Sequence, residues 1–116
     1  AYKDLGQVEE GMRYLQQALI MQKALYKGDH PNIAISLNNI ANAYTDLGQV
    51  EEGLEYLHQT LAMLSKLYKG NHPDIARLLN SVGSSYKNLG QIEEALKYHQ
   101  QALVMLRDLH KSNHPH

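Results

Sequence analysis

The chain has 116 residues, with 11 Lys or Arg against 12 Asp or Glu for a net charge of −1, and no cysteine. A balanced charge with both signs dispersed excludes the clustered basic surface on which nucleic-acid binding rests. The lack of thiols excludes disulfides, thiol catalysis and cysteine-based zinc sites. No apolar run approaches the roughly 18 residues of a membrane span, and the first residues do not read as a signal peptide. With cysteine absent, the expected location is cytoplasmic.

The chain repeats itself. Tyr2, Tyr44 and Tyr86 stand 42 residues apart and open YKDLGQVEEG, YTDLGQVEEG and YKNLGQIEEA, and 24 of the 42 positions from Tyr2 agree with those from Tyr44. A fixed period of about 20–50 residues marks one supersecondary unit stacked on copies of itself. About three units are needed for stability, so this array stands near the lower limit.

In chain order, residues 1–5 read as the tail of a first helix A, stopped by Gly6. Residues 8–27 form helix B of the first copy. A short loop, Gly28-Asp29-His30-Pro31, leads into the second helix A at residues 31–47. Pro suits the first helical position, where its missing N–H costs nothing. Gly48 is placed as the left-handed stop, and the second helix B spans residues 50–69. Its apolar residues Val50, Leu54, Leu57, Leu61, Leu64 and Tyr68 step by four and three along one face. Glu51 and Glu52 suit its positive end. The third copy gives helix A at 73–89, with Asn71 or His72 near the N-cap and Gly90 as the stop, and helix B at 92–111. The final His114-Pro115-His116 reads as the start of a further helix A. Linkers this short make neighbouring helices antiparallel, so residues 1–116 form a single all-α row of hairpins. Gly11, Gly53 and Ala95 share one place in helix B, facing small residues Ala41 and Gly83 of helix A. Alanine at Gly53 is expected to be neutral or stabilising, since Ala95 fills the equivalent place.

The series Leu79, Val82, Gly83, Tyr86, Gly90, Ala95 and Ala102, with Leu37, Ile40, Ala41, Tyr44, Gly48, Gly53 and Thr60 one copy earlier, resembles the tetratricopeptide repeat. Gly53 and Thr60 replace the family's Ala, and His99 stands where a bulky apolar residue is usual. The ordinary repeat has about 34 residues; the longer period here looks like the variant found in kinesin light chains. The resemblance covers the whole chain. It implies a right-handed α-solenoid whose helices A line a concave groove that binds protein or extended peptide, in the role of a non-catalytic scaffold.

The family's groove positions fall on Ile35, Asn38, Asn39, Asn42, Thr45 and Asp46, on Arg77, Asn80, Ser81, Ser84, Lys87 and Asn88, and, in the first copy, on Lys3 and Asp4. The amides stand out, because each offers a donor and an acceptor. Asparagine is also a poor helix former, so several copies in mid-helix need a reason. Asn38 and Asn80, one period apart, are placed to hold a peptide backbone, and Arg77 and Lys87 to select an acidic group. The competing account is plain solvation of a helix face. The family's Lys/Asn carboxylate clamp is not reproduced.

Other constellations carry less. His30, His72 and His114 recur in the loops at the hairpin spacing of roughly 10 Å, too far apart to share one zinc ion at about 2 Å per ligand. Glu9-Glu10, Glu51-Glu52 and Glu93-Glu94 are adjacent pairs, which point to different faces of a helix. No phosphate loop, HExxH or nucleophile motif is present, so no enzyme, metal or cofactor is expected, and neither nucleic acid nor membrane is a partner. The two ends expose apolar faces of helices B. The alternative function is therefore a self-associating array, natural or designed, without a dedicated ligand, stacked head-to-tail or by helix exchange.

Overall fold

A computed structural model of the chain describes residues 5–112. Five helices follow one another: α1 (Leu5–Leu25), α2 (Pro31–Asp46), α3 (Val50–Leu67), α4 (Pro73–Asn88) and α5 (Ile92–Ser112). The helix backbones pack on their neighbours in sequence, α1 on α2, α2 on α3, α3 on α4 and α4 on α5, and the His58 ring of α3 reaches past α4 to meet Tyr98 of α5 edge-on at 5.9 Å. The result is an all-α solenoid, 52 × 37 × 24 Å, in which α2 and α4 are the helices A and α1, α3 and α5 the helices B.

The A-to-B turns follow from glycine. Gly48 and Gly90 take φ of +81° and +80°, the left-handed region open to glycine at no steric cost. The Gly48 amide donates to the Thr45 carbonyl and the Gln49 amide to the Tyr44 carbonyl, both at 2.9 Å. Gly90 and Gln91 repeat this on Lys87 and Tyr86 at the same distances. This is the Schellman pattern that satisfies the last carbonyls of a helix.

The B-to-A turns follow from histidine. His30 and His72 are the N-caps of α2 and α4, in extended backbone, with proline next. Their Nδ1 atoms accept from the amides of Asn32 at 3.0 Å and Asp74 at 3.1 Å. Each imidazole lies flat on the tyrosine that ends the preceding helix, Tyr26 on His30 at 3.7 Å and Tyr68 on His72 at 3.9 Å. This stack explains why α1 and α3 end at Leu25 and Leu67, two residues before the expected 27 and 69: Tyr68 leaves the helix for extended backbone (φ −111°, ψ 97°) to meet the ring. A lost N-cap costs about 0.5–2 kcal/mol. His72→Ala is therefore expected to lower stability by about 1 kcal/mol, and His72→Asn, which keeps a cap, to recover most of it in urea denaturation. Equal loss in both variants would assign the stabilisation to the stack instead.

The first hairpin departs from expectation. Leu5, Gly6 and Gln7 belong to α1 rather than ending a previous helix before Gly6. Glycine permits the left-handed turn without compelling it; at Gly48 and Gly90 the turn is held by a packed helix A on one side and helix B on the other. Residues 1–4 and 113–116 lie outside the described residues, and with them Lys3, Asp4, His114, His116, most of the expected 1–5 segment and the 114–116 segment.

The core is a string of small clusters between helices. Leu19 of α1 joins Ile33, Leu37 and Ile40 of α2. Ala41, Leu54, Leu57, Leu78 and Val82 join α2, α3 and α4. Ile75 and Leu79 pack on Ala102 of α5. Buried Thr60 satisfies its hydroxyl on the Tyr56 carbonyl at 2.8 Å, one turn back.

Within each complete hairpin two tyrosines stack across the helices, Tyr44 on Tyr56 and Tyr86 on Tyr98, both with centroids 5.5 Å apart. Burial raises the Tyr56 and Tyr86 hydroxyls above the usual tyrosine value of 10.0, aided by the facing tyrosine and by Glu55 and Glu94 respectively, with Lys97 opposing at Tyr86. The folded state thus favours the neutral phenol. That contribution is complete below the ordinary tyrosine range and is lost as pH rises through the raised folded values. Tyr56→Phe is expected to flatten the fall in stability between about pH 9 and about pH 11, as read by urea midpoints across that range; an unchanged slope would mean that Tyr56 is not part of the alkaline response.

Candidate functional site

Parallel neighbours α2 and α4 leave a trough between them, floored by α3. Two hollows make it up. The one near the helix N-termini, about 290 Å³, has Ile35 and Asn38 on one wall, Arg77 and Ser81 on the other, and Leu64 and Tyr68 beneath. The one near the C-termini, about 300 Å³, has Asn42 and Thr45 facing Asn80, Ser84 and Asn88. Ser81 lines both, so the trough is continuous. Its first half is mixed apolar and charged, and its second half is amide and hydroxyl.

The trough thus gathers Asn38, Asn42, Arg77, Asn80, Ser81, Ser84 and Asn88. Asn39 turns the other way, into a hollow of about 450 Å³ between α1 and α2 shared with Met12 and Leu15. Lys87, exposed in the last turn of α4, lines neither half. Two of the gathered residues have partners of their own. The Asn80 Oδ1 sits 2.8 Å from His99 Nδ1 on α5, which orients the amide and occupies one of its oxygen's two lone pairs. Arg77 is paired with Asp74 one turn back on its own helix, so an acidic ligand group competes with a carboxylate already in place. Both ions are solvent-exposed, and such pairs contribute little.

The floor went unseen in the sequence. Thr60, Leu64 and Tyr68 of α3, a helix B, line the first hollow, whereas the groove read from the sequence lies on helices A alone. The signal was present: residues of the helix-B stripe that point between two helices A recur at the same period. No group of three or more metal-ligating side chains occurs among the described residues, and no helix there is long and apolar enough to cross a membrane.

A family model for the tetratricopeptide repeat matches residues 1–51 and 33–108. No match was found among curated proteins. Among solved structures, the fold is similar to that of a Podosopora anserina protein assigned as a kinesin light chain, with nearly identical tetratricopeptide-like repeats: 30% identity, a TM-score of 0.78, and coverage of 95% of this chain and 52% of the other. It is also similar to BtubC (BKLC) from P. vanneervenii, at 23% identity and a TM-score of 0.84 over 97% of this chain and 44% of that one. MamA matches at 21% identity and a TM-score of 0.69 over 90% of this chain and 52% of its own. These last two show the fold alone. The chain spans about half the length of the structures it matches. With both family-model segments together reaching from residue 1 to residue 108, the chain belongs to the tetratricopeptide repeat family, as an array like that of kinesin light chains.

Proposed function

We propose that the trough between α2 and α4 binds an extended peptide segment of a protein partner. Protein interaction is the general role of the family. The observation that supports a peptide here is the continuity of the trough: a hollow of mixed apolar and charged lining over Leu64 and Tyr68 runs into a row of amides and hydroxyls at Asn42, Ser84 and Asn88. The row offers paired donors and acceptors to a backbone without regard to side chains, and the hollow takes one apolar side chain. Arg77, shared with Asp74, gives a modest preference for an acidic neighbour. Lys87, at the end of α4, extends that preference to residues leaving the trough.

The test is selection of peptides on the folded chain, followed by titration of the Asn42→Ala, Ser84→Ala variant. Asn80 is avoided because its loss also frees His99. Each hydrogen bond removed contributes about 0.5–1.5 kcal/mol, so the pair is expected to weaken binding by roughly tenfold with an unchanged circular dichroism spectrum. Selected peptides that bind the variant as tightly as the parent chain would remove the trough as the site.

A further inference from the structure

One asparagine of the trough is held in place and its counterpart is not. Asn38 and Asn80 stand one repeat apart on α2 and α4, and both line the trough. On α5 the half-buried His99 brings its Nδ1 to 2.8 Å from the Asn80 Oδ1. At the place of His99, α3 carries Leu57, a buried side chain with no polar atom. A second exchange makes room for the ring. Gly83 stands where the preceding hairpin has Ala41, and a Cβ there would fall 2.8–2.9 Å from Nε2, Cδ2 and Cε1 of the imidazole. The ring thus lies against α4 at a point that glycine leaves open.

An amide oxygen accepts and never donates, so the hydrogen of the contact belongs to the His99 Nδ1. The oxygen and nitrogen of an amide leave its carbon in diverging directions. With Oδ1 on α5, the Nδ2 hydrogens are turned from α5, and Asn80 lines the hollow it shares with Asn42 and Thr45 of α2. Leu57 places no such constraint on Asn38, which can offer a ligand either end of its amide. Packing alone does not require the polar pair, because Ala41 and Leu57 share an apolar cluster in the hairpin before.

We propose that His99 is a positioning residue of the trough, which holds the Asn80 amide with its Nδ2 hydrogens toward the ligand and makes that point selective for a backbone carbonyl of the bound peptide. The inference rests on the trough as a peptide site and gives that site a polarity. A held donor has little rotamer freedom left to lose on binding. A ligand N–H at the same point meets hydrogens in place of an oxygen, so donors on both sides go unpaired. The same residue one repeat apart therefore reads a ligand in two ways: Asn38 takes a donor or an acceptor, and Asn80 takes an acceptor.

The first test needs no ligand. Nitrogen–proton correlation spectra of the imidazole side chains are expected to show the His99 hydrogen on Nδ1. A hydrogen on Nε2 alone would reverse the amide, turn its oxygen to the trough and overturn the assignment. Binding is then read with the peptide selected on the folded chain. Asn80→Asp keeps an oxygen for His99 and removes the donor, and is expected to weaken binding by about tenfold or more with the helical spectrum kept. Gly83→Ala, His99→Leu restores the apolar pair of the preceding hairpin and frees the amide, and is expected to weaken binding by about threefold to tenfold. Thioamides, which accept more weakly, are placed along the peptide one at a time. One position is expected to weaken binding to the parent chain and not to the Asn80→Asp chain; the absence of such a position would overturn the carbonyl contact. Parent affinity in the Gly83→Ala, His99→Leu chain would overturn the role of His99, while a loss in Asn42→Ala, Ser84→Ala would keep the trough. A selected peptide indifferent to all three variants, or a selection that yields none, removes the trough and this assignment with it.

Discussion

Ile40→Ala lowers the stability of the chain by about 2–5 kcal/mol, the range for removing a fully buried aliphatic side chain. Ile40 is 0% exposed. It sits in the cluster of Leu19, Ile33 and Leu37, against Tyr44, Tyr56 and Met63, so it joins α1, α2 and α3 at once. In a solenoid the stability is a sum of unit and nearest-neighbour terms, and α1 packs on no described helix but α2. The cavity therefore weakens the one interface that holds α1. Urea unfolding followed by circular dichroism is expected to show a lower midpoint and an early loss of helix from α1. Ile40→Val is expected to cost only about 0.5–1.5 kcal/mol, since Val82 occupies the equivalent place at 0% exposure. A loss under about 1 kcal/mol for the alanine variant would mean that the cluster collapses into the space.

The apolar faces of the helices were legible from spacing alone. The four-and-three steps of Val50, Leu54, Leu57, Leu61 and Leu64 place these residues on one face, and glycine at positions 48 and 90 marks the turns because the left-handed backbone leaves few alternatives. What spacing does not carry is which side chains meet across a turn or between helices. Nothing local in Tyr68 says that its ring stacks on His72, so the helix end came out two residues long. Leu64 and Tyr68 fit the helix-B stripe equally well as core, and only the gap between α2 and α4 makes them the floor of a trough. Asn80 and Asn38 are the same residue one period apart, but His99 replaces the aliphatic Leu57 opposite, and this turns one amide toward α5. The groove was thus readable as a set of positions, and its partners were not, because a single substitution on a neighbouring helix redirects an identical side chain.

Gly53→Ala destabilises the chain by about 1–3 kcal/mol, the usual cost of overpacking, in contrast to the neutral or stabilising effect that the equivalence with Ala95 implies. A Cβ at Gly53 comes within 2.9 Å of the Ala41 carbonyl oxygen and 2.9 Å of Thr45 Oγ1. The carbonyl cannot withdraw without moving α2, and the hydroxyl is fixed on that same carbonyl at 3.0 Å. The gain in helix propensity, about 0.5–1 kcal/mol, does not offset this. Ala95 is accommodated because its hairpin divides the space differently: Gly83 and Lys87 stand where Ala41 and Thr45 stand. Gly83 in turn is required by His99. A Cβ there falls 2.8 Å from the imidazole Nε2, and the ring is held from behind by Asn80 at 2.8 Å. Gly83→Ala is therefore expected to cost about 1–3 kcal/mol in the parent chain. In the His99→Leu background it is expected to cost much less, because Ala41 and Leu57 already share a cluster in the hairpin before. Urea denaturation of the four chains in this cycle measures the coupling. Additivity within about 0.3–0.5 kcal/mol would show that the imidazole swings aside and that Gly83 answers to some other neighbour. Gly11 supplies the control: nothing lies within 4 Å of its Cβ position, so Gly11→Ala is expected to stabilise this chain by about 0.5–1 kcal/mol.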